Sequence, residues 1–247
     1  EDRIQNERYP LALLRIAGGE VRAIFSERYA PLDDELVLEI VDDALRAAGM
    51  RSDVIARAIS TGPSTVLRLT VPSESLAVKR GDVIEAGVDL ANSEIGFRSV
   101  SITPITYRLI CTNGARAWSS DATKRLRHIG DPIRLRDAVG EAIPLALAEA
   151  RGDLKRWKSA VSTMIDDALD EVESLRGFGA TSADVSGARR ALADELGLVS
   201  PNDEMLRRKA SVFIVANAIT ASARDRSTEG RLFVEQLGHR YLVSRTR

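Results

Sequence analysis

The sequence predicts an α+β fold: an antiparallel β-meander with a flanking N-terminal helix, followed by a mostly helical C-terminal half. Three observations carry this expectation. Hydrophobic spacing is helical from Asp33 to Ala48, alternates between Thr65 and Cys111, and becomes helical again after Ile133. Polar turns rich in Asn, Ser and Gly bound the alternating segments. With 247 residues and 44% hydrophobic content, the chain can bury a substantial core, in one large domain or two small ones. The expected division is a strand-rich half over 1–130 and a helical half over 131–247, packed together as one domain.

Pro31-Leu32-Asp33-Asp34 opens the first helix, whose stripe is Leu36, Val37, Ile40, Val41, Ala44, Leu45 and Ala48. Gly49 supplies its stop. A second short helix is expected over Ser52 to Ile59. Thr65 to Val71 alternates and is β-branched, so it reads as a strand that Pro72 ends. Asp82 to Ala91 is the next strand, with Ile84, Ala86, Val88 and Leu90 on one face. Ser99 to Cys111 is the third, with Pro104 marking an edge or a bulge. The segment from Asn92 to Arg98 has the length of a hairpin loop, and Gly96 suits a positive φ. Helices are expected on one face of this meander.

Ile133 to Ala150 reads as a helix interrupted near Gly140 and Pro144. The clearest periodicity follows: Leu154, Trp157, Val161, Met164, Ile165, Ala168, Val172 and Leu175 share one stripe. Further helices are expected over Ser182 to Leu196, Asp203 to Arg224 and Thr228 to Tyr241. Val212-Phe213-Ile214-Val215-Ala216 suggests burial on all sides.

Composition narrows the function classes. No run of 18 apolar residues exists, so no transmembrane helix is expected. The opening Glu1-Asp2-Arg3 lacks an apolar core and a Met, which predicts no signal peptide and a trimmed or unnumbered preceding segment. The one cysteine, Cys111, excludes an internal disulfide and fits a reducing cytoplasm. It reads as a structural cysteine, since the only histidines, His128 and His239, are not placed near it by sequence. One Cys and two distant His give no metal-ligand spacing, and no Gly-rich phosphate loop is present, so neither metal nor cofactor is expected. The acidic group Asp166, Asp167, Asp170, Glu171 and Glu173 reads as a solvated helix face rather than a magnesium site.

Net charge is −1 but unevenly spread: Met205 to Arg247 holds nine Arg or Lys against three acids, +6, leaving −7 elsewhere. A second basic group comprises Lys124, Arg125, Arg127, Arg134 and Arg136, with Asp131 between them. Such groups fit either a solvated face or phosphate contacts, and the latter make binding steeply salt dependent. Aromatic residues are only 4%, so base stacking falls to a few candidates such as Phe97, Tyr107 and Trp118. Asn92-Ser93-Glu94 and Cys111-Thr112-Asn113-Gly114 are polar turns at strand ends, suited both to turn formation and to binding.

Five segments stand in a fixed order: Arg28-Tyr29-Ala30-Pro31-Leu32, Asn92-Ser93-Glu94-Ile95-Gly96, Cys111-Thr112-Asn113-Gly114, His128-Ile129-Gly130 and Asn217-Ala218-Ile219-Thr220. In that order and spacing, over about residues 25 to 240, the chain resembles the phage/plasmid-like protein family with domain of unknown function 932. Ala115 departs from the pattern, where a larger apolar residue is usual. The resemblance implies a mobile-element origin without bringing an activity. In outline, strands followed by helices with basic clusters are also similar to single-strand-annealing recombinases of the Red-beta and Erf type.

The leading expectation is therefore a non-enzymatic, oligomeric, cytoplasmic protein that binds single-stranded DNA and promotes annealing. Arg98, Arg108, Lys124, Arg125 and Arg127 would meet phosphates, and Tyr107 or Phe97 a base. Asn92, Glu94 and Asn113 would hold the loops or meet a partner. One alternative is a nucleic-acid- or nucleotide-processing enzyme using Glu94 and His128 as acid and base. Another is a helical assembly protein that uses the Leu154 to Leu175 stripe as an oligomer seam.

Overall fold

The computed structural model describes residues 3–4, 12–60, 64–79, 82–108, 115–118, 122–199, 202–223, 226 and 228–246. It is α+β, with antiparallel sheets toward the N-terminus and a helical C-terminal half. Two compact units divide the chain, and neither is a continuous stretch. The first comprises 1–71, 88–104 and 122–148, and the second 72–87, 105–121 and 149–247.

The first unit opens on an antiparallel sheet, β1 (Arg3–Ile4), β2 (Ala12–Ala17) and β3 (Glu20–Ser26). Gly18 and Gly19 join β2 to β3 with φ of 62° and 81°. Two successive left-handed residues give the turn twist that matches a hairpin, and glycine takes that conformation without a Cβ penalty. The sequence expectation did not include this hairpin. Helix α1 (Asp34–Ala47) follows, burying Val37, Ile40, Val41 and Leu45. Its end is a Schellman motif: Met50 N donates to Leu45 O at 2.8 Å and Gly49 N to Arg46 O at 3.0 Å, with Gly49 at φ 68°.

The expected helix over Ser52 to Ile59 is a 3-10 turn (Arg51–Asp53) followed by β4 (Ile55–Ser60). β4 pairs with β5 (Thr65–Lys79), from Ile55↔Thr70 to Ser60↔Thr65. The six-residue run Ile-Ala-Arg-Ala-Ile-Ser carries too little period to separate helix from strand, and a neighbouring strong strand decides it. β5 also continues through Pro72. The β4 ladder stops at Thr70, so the missing proline N–H faces no β4 acceptor.

β6 (Asp82–Asn92) and β7 (Val100–Arg108) complete the meander with the expected turn between them, Gly96 having φ 71°. β8 (Ala115–Trp118) pairs with Ile105 to Arg108, and β9 (Lys124–Leu126) with Val100 to Ile102. Pro104 falls between these two ladders, where neither β8 nor β9 pairs with β7 and no proline N–H is needed toward them. In the first unit Leu67, Leu69, Val71, Val88, Leu90, Val100 and Ile102 form one core with α1 and with Leu135, Val139, Ile143 and Leu147 of α2 (Pro132–Ser162). Arg68 and Asp89 are a buried bidentate pair, both bonds at 2.7 Å.

α2 is a single helix of 31 residues, uninterrupted at Gly140, Pro144 or Gly152. Asp131 Oδ1 caps it by accepting from Ile133 N at 2.9 Å, and Pro132 occupies the first turn, where no N–H is needed. Pro144 costs about 3 kcal/mol in a helix interior, which burial of Val139, Ile143 and Leu147 at roughly 1.5–3 kcal/mol each offsets.

The long stripe expected as one helix breaks after Ser162. Met164–Ile165 is strand β10, and α3 (Ala168–Glu173) then starts anew. Asp167 Oδ1 caps α3 by accepting from Asp170 N at 2.9 Å. A 3-10 turn (Ser174–Phe178) and α4 (Ser182–Glu195) follow, the latter with a Thr181/Asp184 capping box. The expected helix over Asp203 to Arg224 is likewise split, into α5 (Asp203–Leu206), β11 (Ala210–Ser211) and α6 (Val212–Ala221). β11 pairs with β10, and Ser211 Oγ caps α6. In both corrected places a capping side chain and a strand pair outweigh apolar periodicity. α7 (Thr228–Arg245) ends the fold.

The second unit's core gathers Trp157, Leu169, Val172, Leu175, Leu192, Phe213, Val215, Ile219 and Tyr241. Trp157 is 3% exposed, donates from Nε1 to Thr106 Oγ1 at 2.8 Å, and meets Phe213 edge-on at 5.7 Å. Of the stripe considered as an oligomer seam, Trp157, Ala168, Val172 and Leu175 lie in this core, Leu154, Val161 and Ile165 pack against it, and Met164 is exposed.

Candidate functional site

Three of the five motif segments converge in the first unit. The Arg28–Ala30 segment runs antiparallel to the His128–Gly130 segment. Ala30 N donates to His128 O at 3.1 Å, Gly130 N to Arg28 O at 2.9 Å, and Tyr29 bridges Ile129. Phe25 stacks on Tyr29 at 3.7 Å and 3°, and Tyr29 on His128 at 5.2 Å and 11°. The loop after β6 closes against this aromatic column: Tyr29 Oη donates to Ser93 O at 3.5 Å, and a Cβ at Gly96 would lie 2.8 Å from Phe25 Cε1.

Charged groups surround the start of α1. Asp33 is its N-cap residue, yet its side chain caps nothing. Glu94 does so from the other loop, Oε1 accepting from Asp34 N at 2.8 Å. A carboxylate at a helix N-terminus meets both an unpaired N–H and the positive end of the helix dipole. Arg15 of β2 bridges the two carboxylates, Nη1 donating to Asp33 and Nη2 to Glu94 Oε2 at 2.5 Å. Asn92, 1% exposed, donates from Nδ2 to Leu32 O and Asp34 Oδ1, both at 2.9 Å, and Thr65 Oγ1 donates to Asp34 Oδ2 at 2.6 Å. Ser93 Oγ accepts from Phe97 N at 3.0 Å, fixing the loop that carries Phe97 and Arg98.

The electrostatics follow from this packing. Burial opposes the Arg15 charge, but Asp33 and Glu94 outweigh it and hold its pKa above the usual value. Burial raises the Tyr29 phenol, Asp33 and Glu94 adding to the shift and Arg15 opposing it. Burial lowers the His128 imidazole, partly countered by the Ala30 carbonyl, which lies 3.3 Å from Nδ1. Arg15, Asp33 and Glu94 line a pocket of about 540 Å³, with Leu13, Ile16, Phe25, Tyr29 and Pro31 among its other walls. No hydrogen bond joins Glu94 to His128: Glu94 is taken up by Arg15 and Asp34, and His128 Nε2 is buried without a hydrogen-bond partner.

Arg98 is exposed on the loop before β7, and Phe97 beside it is 71% exposed. Lys124, Arg125 and Arg127 are exposed along and just past β9. Because Val100 faces Leu126, Arg98 and Arg127 flank the same end of that ladder. Among the described residues none of these four cations has an ion-pair partner, whereas Arg15, Arg46, Arg51, Arg68, Arg136, Arg151, Arg156 and Arg207 all do. Tyr107 and Arg108 belong to the second unit, where Tyr107 is half-buried. Cys111, Thr112, Asn113 and Gly114 lie outside the described residues, as does the Arg108 side chain.

Asn217 and Thr220 are buried on α6, where Thr220 Cγ2 approaches Gly238 of α7 so closely that a Cβ there would lie 2.5 Å away. That motif is helix packing. His239 Nε2 lies 3.1 Å from Asp153 Oδ2, a buried pair in the second unit. Asp166 is exposed beside Lys209, and among the described residues no group of three or more His, Cys, Asp or Glu is placed to hold a metal ion. Among them no helix is long and apolar enough to cross a membrane.

Sequence reading missed Arg15, Phe25, Asp33, Asp34 and Thr65 as site residues. The signal for the first two was Gly18-Gly19 between alternating runs, a hairpin that carries both side chains to the site.

The fold and site define an α+β protein in which dispersed short motifs build one aromatic and ionic junction. Its family is known: residues 22–220 match the model described as "Domain of unknown function (DUF932)", and the chain belongs to that family. No curated protein and no solved structure matches the chain.

Proposed function

We propose that this protein is a cytoplasmic, DNA-associated protein of phage or plasmid origin that binds single-stranded DNA and, as an oligomer, promotes strand annealing. The observation that carries the reading is the exposed group of Arg98, Lys124, Arg125 and Arg127 around one end of the β7–β9 ladder, without ion-pair partners among the described residues, near the exposed ring of Phe97. Exposed cations suit phosphates, and an exposed ring fixed at its backbone suits a base. The Asn92–Gly96 motif acts as a brace: Asn92 and Glu94 tie the loop to α1, and Ser93 holds the Phe97 amide. Binding is an equilibrium with no turnover.

The test is charge reversal. Lys124→Glu/Arg125→Glu should weaken binding of a labelled single-stranded oligonucleotide, read by fluorescence anisotropy, and flatten its salt dependence. Unchanged affinity in a folded variant removes this face as the binding site.

A further inference from the structure

We propose that the pocket bounded by Arg15, Asp33 and Glu94 takes a guanine base. The inference deepens the strand-binding reading and rests on it for the strand as the source of that base. At about 540 Å³ the pocket is within the usual range for ligand sites, roughly 300–1,000 Å³. It mixes apolar walls, Leu13, Ile16, Phe25 and Pro31, with a few polar groups, which is how bases are held out of a stack.

Asp33 gives the pocket its chemistry. An aspartate at a helix N-cap ordinarily spends its carboxylate on the first-turn amides. Here Glu94 takes that role, and Asp33 turns to Arg15 instead. Its side chain remains 49% exposed, with Oδ2 unbonded among the described residues. A carboxylate presents only acceptors. Guanine is the base that offers two adjacent N–H donors, N1 and N2, with O6 beside them. Asp33 accepts from both, and a free N–H of Arg15 reaches O6. Adenine, cytosine and thymine each place an acceptor next to a single donor, which sets lone pairs against the second carboxylate oxygen.

The pocket also adjoins the proposed strand path. Glu94 lines it and lies three residues before Phe97, so the two Cα atoms are within about 11 Å. Phe25 forms one wall and presses on Gly96, immediately before Phe97. A strand with one base on Phe97 can present another base to the pocket.

The experiment uses the full chain with free guanosine and, separately, with three labelled oligonucleotides: oligo-dT, the same with one central dG, and the same with deoxyinosine there. Deoxyinosine lacks only the N2 amino group. The dG strand should bind about tenfold tighter than oligo-dT, the scale of one bidentate base contact. Deoxyinosine should lose most of that gain, and Asp33→Asn should abolish the dG preference. Equal binding of all three strands overturns the guanine pocket and leaves strand binding standing. Guanosine binding without any oligonucleotide binding supports the pocket, makes a free nucleoside or nucleotide its source, and overturns strand binding. Binding of neither overturns both.

Discussion

Gly96→Ala tests whether the loop before β7 is seated on Phe25. At φ 71° an alanine pays the left-handed penalty of about 1–2 kcal/mol. Its Cβ would also lie 2.8 Å from Phe25 Cε1, so the ring must move. That ring stacks on Tyr29 at 3.7 Å, and losing an aromatic pair costs a further 0.5–1.5 kcal/mol or so. The expected destabilisation is about 2–3 kcal/mol by urea denaturation. In a Phe25→Ala background only the backbone penalty remains, and Gly96→Ala should then cost about 1–2 kcal/mol. A double-mutant cycle isolates the difference. Equal cost in both backgrounds would refute the seating of the loop on the ring, and a neutral Gly96→Ala would refute the turn conformation as well.

Asn92→Ala removes the donor to Leu32 O and Asp34, and should cost about 1–3 kcal/mol in chemical denaturation, while an unaffected midpoint contradicts the brace. Gly238→Ala should destabilise by about 1–3 kcal/mol through overpacking against Thr220, with Thr220→Ser recovering most of it; Tm shifts of the single and double variants decide this. His128 titrates at a lower pH folded than unfolded, so between about pH 6.5 and that lower value the unfolded chain binds the extra proton. Stability should therefore fall as pH falls through this window and level off below it. His128→Asn should flatten that limb in urea midpoints taken from pH 7.5 to 5, and an unchanged slope assigns the loss to other groups.

The elements that follow one strong period were legible in the sequence. The α1 stripe, its Gly49 stop, and the strands around Ile84 to Leu90 and Val100 to Ile102 all stand where residue pattern placed them. The errors have a common physical source, since local periodicity does not know its partners. Ile55 to Ser60 became a strand because Thr65 to Thr70 lay beside it. The stripe through Val161 and Ala168 was cut by the Asp167 cap and the pairing of Met164 with Ser211. Pro144 did not stop α2, because Ala142, Ile143, Ala146 and Leu147 around it are buried on one core. The site was half legible. Asn92, Ser93, Glu94, Gly96 and His128 were visible as motif residues, and the first unit brings them together. Arg15 and Asp33 were not, because their roles come from contacts 79 and 18 residues apart in sequence.

The most direct measurement is the salt dependence of single-stranded DNA binding by the unmodified protein. Four phosphate contacts by Arg98, Lys124, Arg125 and Arg127 predict a slope of log K against log salt near −2.8, or roughly a 50-fold loss from 50 to 200 mM. Lys124→Glu/Arg125→Glu should halve that slope to about −1.4. Submicromolar binding at low salt with this steepness is the predicted result. Absence of binding at low salt would contradict strand binding and return these cations to ordinary solvated surface.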